Sequence, residues 1–143
     1  MRFLLLLFVV IGAFLAATSS GNAATLIVEV SGIRSSHGTI RLALFPAGKF
    51  LDFGALYLRR TVPAMSGSVY IEFDTLPEGT YSLSALHDEN SNGTMDKGLL
   101  GIPSEGVGVS NNARGFFGPP SAAEVEFKVS EPHADHAITL TYY

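Results

Sequence analysis

Side-chain oxygens recur at Asp88, Asn90, Asn92 and Asp96 in His87-Asp88-Glu89-Asn90-Ser91-Asn92-Gly93-Thr94-Met95-Asp96, and Gly93 stands where a tight loop needs a glycine. That spacing is the grammar of an oxygen-ligand loop for a hard cation such as calcium. Aligned on an EF-hand loop, Asp88 is position one, Asn90 three, Asn92 five, Gly93 six, the Thr94 carbonyl seven and Asp96 nine. Position twelve falls on Leu99, where that loop needs a bidentate glutamate, and no helical pattern flanks the stretch. It is therefore a half-site, to be completed by water, a carbonyl or a distant carboxylate such as Glu105. Its affinity would be that of extracellular modules, about 10⁻⁴ to 10⁻³ M. The alternative is an Asx-turn hairpin in which Asn90 and Asn92 bond their own backbone.

A second group is Asn111-Asn112-Ala113-Arg114. An arginine beside two amides in a glycine-rich loop can fork onto a carboxylate or polar ligand. The plainer expectation is that Arg114 pins the loop to Asp88, Glu89 or Glu105 while the asparagines satisfy buried backbone groups. Phe116-Phe117-Gly118-Pro119-Pro120 is either an exposed platform for sugar or peptide or, as expected here, a pair of core plugs. His133 and His136 are three apart in what reads as a short loop, without a third ligand nearby, which disfavours zinc. His37 falls in a turn and His87 at a strand end, exposed or hydrogen-bonded. No Gly-x-Ser-x-Gly elbow, phosphate loop or metalloprotease helix occurs, and cysteine is absent. The expectation is a non-enzymatic protein, with an uncharacterised hydrolase as the lesser alternative.

The elements that must carry these residues begin after a leader. Arg2 and the apolar run from Phe3 to Ala17, followed by small residues up to Ala23 or Ala24, read as a secretory signal peptide at 1–23. The run is short for a spanning helix, and no cysteine follows it to take a lipid anchor. The rest, 24–143, is enough for one domain in the periplasm or outside the cell. Removing Arg2 takes the formal charge from −4 to about −5. Basic residues are scattered, so nucleic acid is not an expected partner, whereas an envelope glycan or protein is. Without disulfides, the domain must stand on its core or on a core plus an ion.

Thr25–Ser31 is β-branched and stops at Gly32; Thr39–Phe45 alternates, with Ile40, Leu42 and Leu44 on one face. Their closeness in sequence predicts an antiparallel hairpin through Ser35-Ser36-His37-Gly38. Lys49–Phe53 reads as a helical turn and Tyr57–Val62 as an edge strand ended by Pro63. Val69, Ile71 and Phe73 alternate with polar residues in a further strand. After the turn Leu76-Pro77-Glu78-Gly79, Tyr81, Leu83 and Ala85 share one strand face. Tyr81 in that place predicts a tyrosine-corner bond to nearby backbone. Residues 98–121 show no period; Leu99, Leu100, Ile102, Val107, Val109, Phe116 and Phe117 predict an ordered loop folded onto the core. Glu124–Val129 and Ala137–Tyr142 read as the closing strands. About seven strands and no long helix predict an all-β fold, a single antiparallel β-sandwich, immunoglobulin-like or prealbumin-like, with one long ordered loop.

The same residues carry a resemblance. The block His87-Asp88-Glu89-Asn90-x-Asn92-Gly93-x-x-Asp96, then Gly101-Ile102-Pro103-x-Glu105-Gly106, Ser110-Asn111-Asn112-Ala113-Arg114-Gly115 and Phe117-Gly118-Pro119-Pro120 resembles the DUF 2141 family. The likeness extends over nearly the whole mature chain, including Leu76-Pro77-x-Gly79-x-Tyr81 and the closing strands. It implies an exported bacterial β-sandwich and brings no reaction or ligand with it. A strand feeding an Asp/Asn loop is also similar, at the level of fold, to prealbumin-like and B-type repeat modules.

Overall fold

The computed structural model describes residues 23–143. The expected leader lies outside these residues, except Ala23, which opens the first strand. Two sheets pack face to face. One contains β1 (Ala23–Ile33), β4 (Gly67–Pro77) and β8 (His133–Thr139) in the order β4-β1-β8. The other runs β3 (Leu58–Pro63), β2 (Thr39–Pro46), β5 (Gly79–Asp88), β6 (Gly106–Val109), with β7 (Phe127–Val129) also paired to β5. Eight strands therefore form a sandwich-like, mostly β fold.

The period-two patterns build its core. Leu26, Val28 and Val30 of β1 and Val69, Ile71 and Phe73 of β4 face inward from one sheet. Ile40, Leu42 and Leu44 of β2 and Tyr81, Leu83 and Ala85 of β5 face them from the other. Burying each valine, leucine, isoleucine or phenylalanine among them stabilises the fold by about 1.5–3 kcal/mol relative to leaving it in water. Tyr81 donates its hydroxyl to the Pro77 carbonyl at 2.8 Å, the expected corner. The edge strand expected at 57–62 is β3, and Gly54 and Ala55 close a 3₁₀ turn at Phe53–Ala55 capped by Asp52.

Several expectations are corrected. First, β1 and β2 do not form a hairpin; they lie in opposite sheets. Gly32, at φ +73°, and a register shift between Ser31 and Ile33 turn the chain across the sandwich. Second, the sandwich is not purely antiparallel, because β8 runs parallel to β1 from Thr25↔His133 to Ser31↔Thr139. Each crossing between sheets reverses the chain. β7 is antiparallel to β5, so β8 emerges from its crossing parallel to both β5 and β1.

Third, 98–121 is not one loop packed on the core. It contains β6 and two 3₁₀ turns, Leu99–Gly101 and Ser110–Asn112. Val107 and Val109 are half-buried, but Leu99, Leu100, Ile102, Phe116 and Phe117 are exposed. The closing segment also differs: Glu124 belongs to a short helix, α1 (Ala122–Val125), capped reciprocally by Ser121 and Glu124. His133 and His136 lie on β8 rather than in a loop, and a separation of three on a strand turns them to opposite faces.

Candidate functional site

The polar site forms where β5 ends. Strand alternation carries His87 inward, on the same face as Tyr81, Leu83 and Ala85, and it is fully buried. Its Nε2 lies 2.8 Å from the His37 carbonyl and its Nδ1 2.7 Å from the Tyr142 hydroxyl. A carbonyl only accepts, so Nε2 donates, and in the neutral ring Nδ1 accepts from Tyr142. Burial pushes the Tyr142 phenol up, which keeps that donor proton in place. The Arg34 guanidinium stacks 4.3 Å from the Tyr142 ring centroid and donates from Nε and Nη2 to the two carboxylate oxygens of Glu89. Arg34 and Ser35 together hold the Glu89 carboxyl below the usual carboxylate range.

Asp88 is the centre of the loop itself. Its carboxylate, buried like His87, accepts from Asn92 N at 3.0 Å, Gly93 N at 2.8 Å and Arg41 Nη1 at 3.2 Å. Asn90 Oδ1 accepts from Asn92 N, and Asn92 Oδ1 accepts from both N and Oγ1 of Thr94. The side-chain amides of Asn90 and Asn92 donate to the Asp96 carboxylate at 2.6–3.1 Å. Glu105, also buried, ties the two ends of the loop together, accepting from Glu89 N at 2.9 Å and Asp96 N at 3.1 Å. Asp88, Asn90, Asn92, Thr94, Asp96 and Glu105 are thus brought into one cluster, joined by nested Asx turns.

Calcium fits this donor set only in part. The loop wraps Asp88 as a cation loop would, but Arg41 already supplies a positive charge against that carboxylate. Both amide groups that face Asp96 would have to turn their oxygens inward to become ligands. Among the described residues no three His, Asp or Glu side chains are grouped as a metal centre.

The second group lies elsewhere, on the flank of β5 and β8. Asn111 donates its amide to the Glu124 and Glu126 carbonyls at 3.0 and 2.9 Å, and Asn112 Oδ1 accepts from Thr139 N at 2.8 Å. Both asparagines hold positive φ, +60° and +49°, which asparagine tolerates better than most residues. Buried Ser110 joins this turn to β5, accepting from Leu83 N and donating to the Val125 carbonyl. Arg114 does not pin the acidic loop: among the described residues it makes no ion pair, and Arg41 and Arg34 neutralise Asp88 and Glu89 instead. Those two arginines, with Tyr142 and the His37 carbonyl, are members of the site that sequence reasoning missed.

His136 accepts from Asn111 N at 3.1 Å through Nε2 and stacks on Phe127 with ring centroids 4.0 Å apart. Burial pushes this imidazole below its ordinary value by penalising the charged form. A folded-state pKa below the unfolded one means that the unfolded chain takes up the proton first as pH falls. Its contribution to stability is full above about pH 6.5 and is lost as pH falls through the folded-state pKa. The Asn111 amide proton resonance should titrate with His136 on acidification, and the His136→Phe variant should lose that titration. An Asn111 amide that stays fixed while His136 protonates would show that the bond is not made.

Two concavities among the described residues lie away from the Asp88 cluster. One, of ≈ 300 Å³, is lined by Ile27, Glu29, Tyr70 and Asp135–Ala137, the other, of ≈ 380 Å³, by residues including Val62, Met65 and Val69. Both are open to solvent, and the first brings Glu29, Tyr70, Asp135 and His136 to one surface. No helix of the described residues is long and apolar enough to cross a membrane.

A family model described as "Uncharacterized protein conserved in bacteria (DUF2141)" matches residues 28–137. No curated protein and no solved structure matches the chain significantly. The matched span runs from β1 into β8 and takes in the whole Asp88–Glu105 clasp together with the Asn111–Arg114 turn, and the chain belongs to the DUF2141 family of bacterial proteins.

Proposed function

We propose that this chain is a non-enzymatic exported β-sandwich that docks onto a partner in the cell envelope through its 98–121 segment. In this reading the Asp88–Asp96 loop is the clasp that holds the segment's base. A periplasmic or secreted location follows from the leader expected at 1–23. The tyrosine corner supports the finer assignment of the fold to the immunoglobulin-like or prealbumin-like class.

One observation carries the docking reading. Phe116 and Phe117 stand wholly in solvent on a closed turn, while the buried polar groups nearby are already satisfied by one another. Large apolar side chains held outward in this way mark an interaction surface. A photo-crosslinking residue at position 117, in bacterial cells, should yield adducts well above those from the same residue at Glu72, an exposed position on β4. Equal yields at the two positions would end this reading, whatever the partner.

Calcium is the second reading of the clasp, supported by the way the loop wraps Asp88 with Asn92 N and Gly93 N. Binding in the affinity range of extracellular modules, about 10⁻⁴ to 10⁻³ M, would raise the melting temperature as millimolar calcium is added, because the ion binds the folded state alone. Under the Asx-turn reading the melting temperature does not move with calcium beyond its response to magnesium.

A further inference from the structure

Two exposed segments share one pattern. Lys97-Gly98-Leu99-Leu100-Gly101-Ile102-Pro103 and Arg114-Gly115-Phe116-Phe117-Gly118-Pro119-Pro120 both read as a basic residue, glycine, two apolar residues, glycine, one further residue and proline. Both are closed turns. In the first, Gly98 N donates to the Ile102 carbonyl at 2.8 Å and Lys97 bridges to Pro103. In the second, Gly115 lies so close to Gly118 that a Cβ on it would fall 1.7 Å from the Gly118 carbonyl oxygen.

The side chains at both tips point away from the protein: Leu99 is 90% exposed, Leu100 93%, Phe116 95% and Phe117 101%. A single exposed leucine needs no explanation, but four large apolar side chains on two turns of the same pattern do. The backbone keeps them there. Leu100 stands at φ +62°, which few non-glycine residues adopt, and the close approach of Gly115 to Gly118 admits no side chain at Gly115. Lys97 and Arg114, next to the tips, are exposed and form no ion pair among the described residues.

The geometry points to an anionic lipid surface as the partner of these tips, an inference that rests on the docking reading above and names its ligand. A peptide or glycan is gripped in a concavity, and the two concavities above are lined by other residues. A convex tip instead enters an interface that yields to it. Paired phenylalanine or leucine side chains enter the acyl boundary while the adjacent guanidinium or ammonium meets headgroup phosphates. A short apolar tip with one cation makes a reversible, peripheral attachment, since a lasting one needs a larger buried area or a lipid chain.

The chain contains no tryptophan, so a single one reports its own position. Phe117→Trp and Leu100→Trp, each in the full chain, place that reporter at one tip without touching the core. Even if the apolar run at 3–17 holds the chain to a vesicle, only entry of the tip itself shifts the emission. With phosphatidylglycerol vesicles both variants should show a blue shift, saturating with lipid and weakened by salt. Phosphatidylcholine vesicles should need at least about tenfold more lipid. Adding Arg114→Gln to Phe117→Trp should weaken binding to the anionic vesicles about fivefold. Emission that stays at its aqueous wavelength on anionic vesicles would overturn the inference, as would equal binding to both lipids. A blue shift that grows with protein concentration in the absence of lipid would also overturn it, since the tips would then be covered by a second copy of the chain. In each of those cases strong crosslinking at position 117 would leave the docking reading standing, and its absence would remove both.

Discussion

Replacing Asp88 with alanine should lower the free energy of unfolding by about 3–5 kcal/mol, the range for removing one partner of a buried, hydrogen-bonded charge. The size follows from what the carboxylate holds. Its two oxygens accept from Asn92 N, Gly93 N and Arg41, and its side chain is 1% exposed. Alanine would strand the Gly93 N–H, leave Asn92 N with Asn90 Oδ1 as its one acceptor, and leave the Arg41 guanidinium without its counter-charge. The loop would also lose the link that turns it back onto β2, where Thr39 pairs with Asp88 itself. Asp88→Asn keeps one accepting oxygen and should fall between the two. Urea unfolding with an unchanged m-value measures the loss as a shift in midpoint. A loss below about 1 kcal/mol, the range of solvent-exposed ion pairs, would mean that the clasp is held elsewhere.

The same carboxylate shows what could be read in the sequence and what could not. The oxygen spacing of 88–96 and the role of Gly93 were legible, because Asx turns are local and depend on neighbours two to four residues away. The counter-charges were not. Arg41 and Arg34 lie 47 and 55 residues from the carboxylates they meet, and only the β2–β5 register and the course of the 34–38 crossing bring them there. Arg114, close in sequence and expected to be the partner, is carried away by the turn at Ser110–Asn112, which is fastened to β5, β8 and α1.

Strand patterns were legible for a similar reason. Period two in β1, β2, β4 and β5 reports one buried face directly, and that part of the fold is as expected. Which sheet each strand joins is not written in the period, so β1 and β2 passed for a hairpin. His87 was within reach: it continues the parity of Tyr81, Leu83 and Ala85, and the alternation alone would have placed it inside. Ser121-x-x-Glu124 likewise carried a helix-start signal that the strand reading overrode. Phe116 and Phe117 fail for a different reason. Apolar residues are mostly inside, but the rule does not run backwards, and an exposed pair leaves no trace in the strand period.

Gly38→Ala should be the other severe substitution, costing about 2–5 kcal/mol when an over-packed contact is added to the penalty for left-handed backbone. Gly38 stands at φ +71°, and a Cβ there would fall 2.0 Å from the Asp88 carbonyl oxygen and 2.7 Å from the Glu89 backbone. These are backbone atoms at the first rung of the β2–β5 ladder, so they cannot rotate away as a side chain would. Relief requires pulling Asp88 and Glu89 off β2, which also opens the His87 bond to the His37 carbonyl and the Arg41 bond to Asp88. Gly48→Ala is the matched control. It has nearly the same φ, +68°, but nothing lies within 4 Å of its Cβ position, so it should cost only the backbone term, about 1–2 kcal/mol. The difference between the two variants in urea unfolding isolates the close approach of the 34–38 crossing to the clasp. Equal losses would mean that the crossing and the clasp are not rigidly joined, and that the acidic loop is anchored by its own side chains alone.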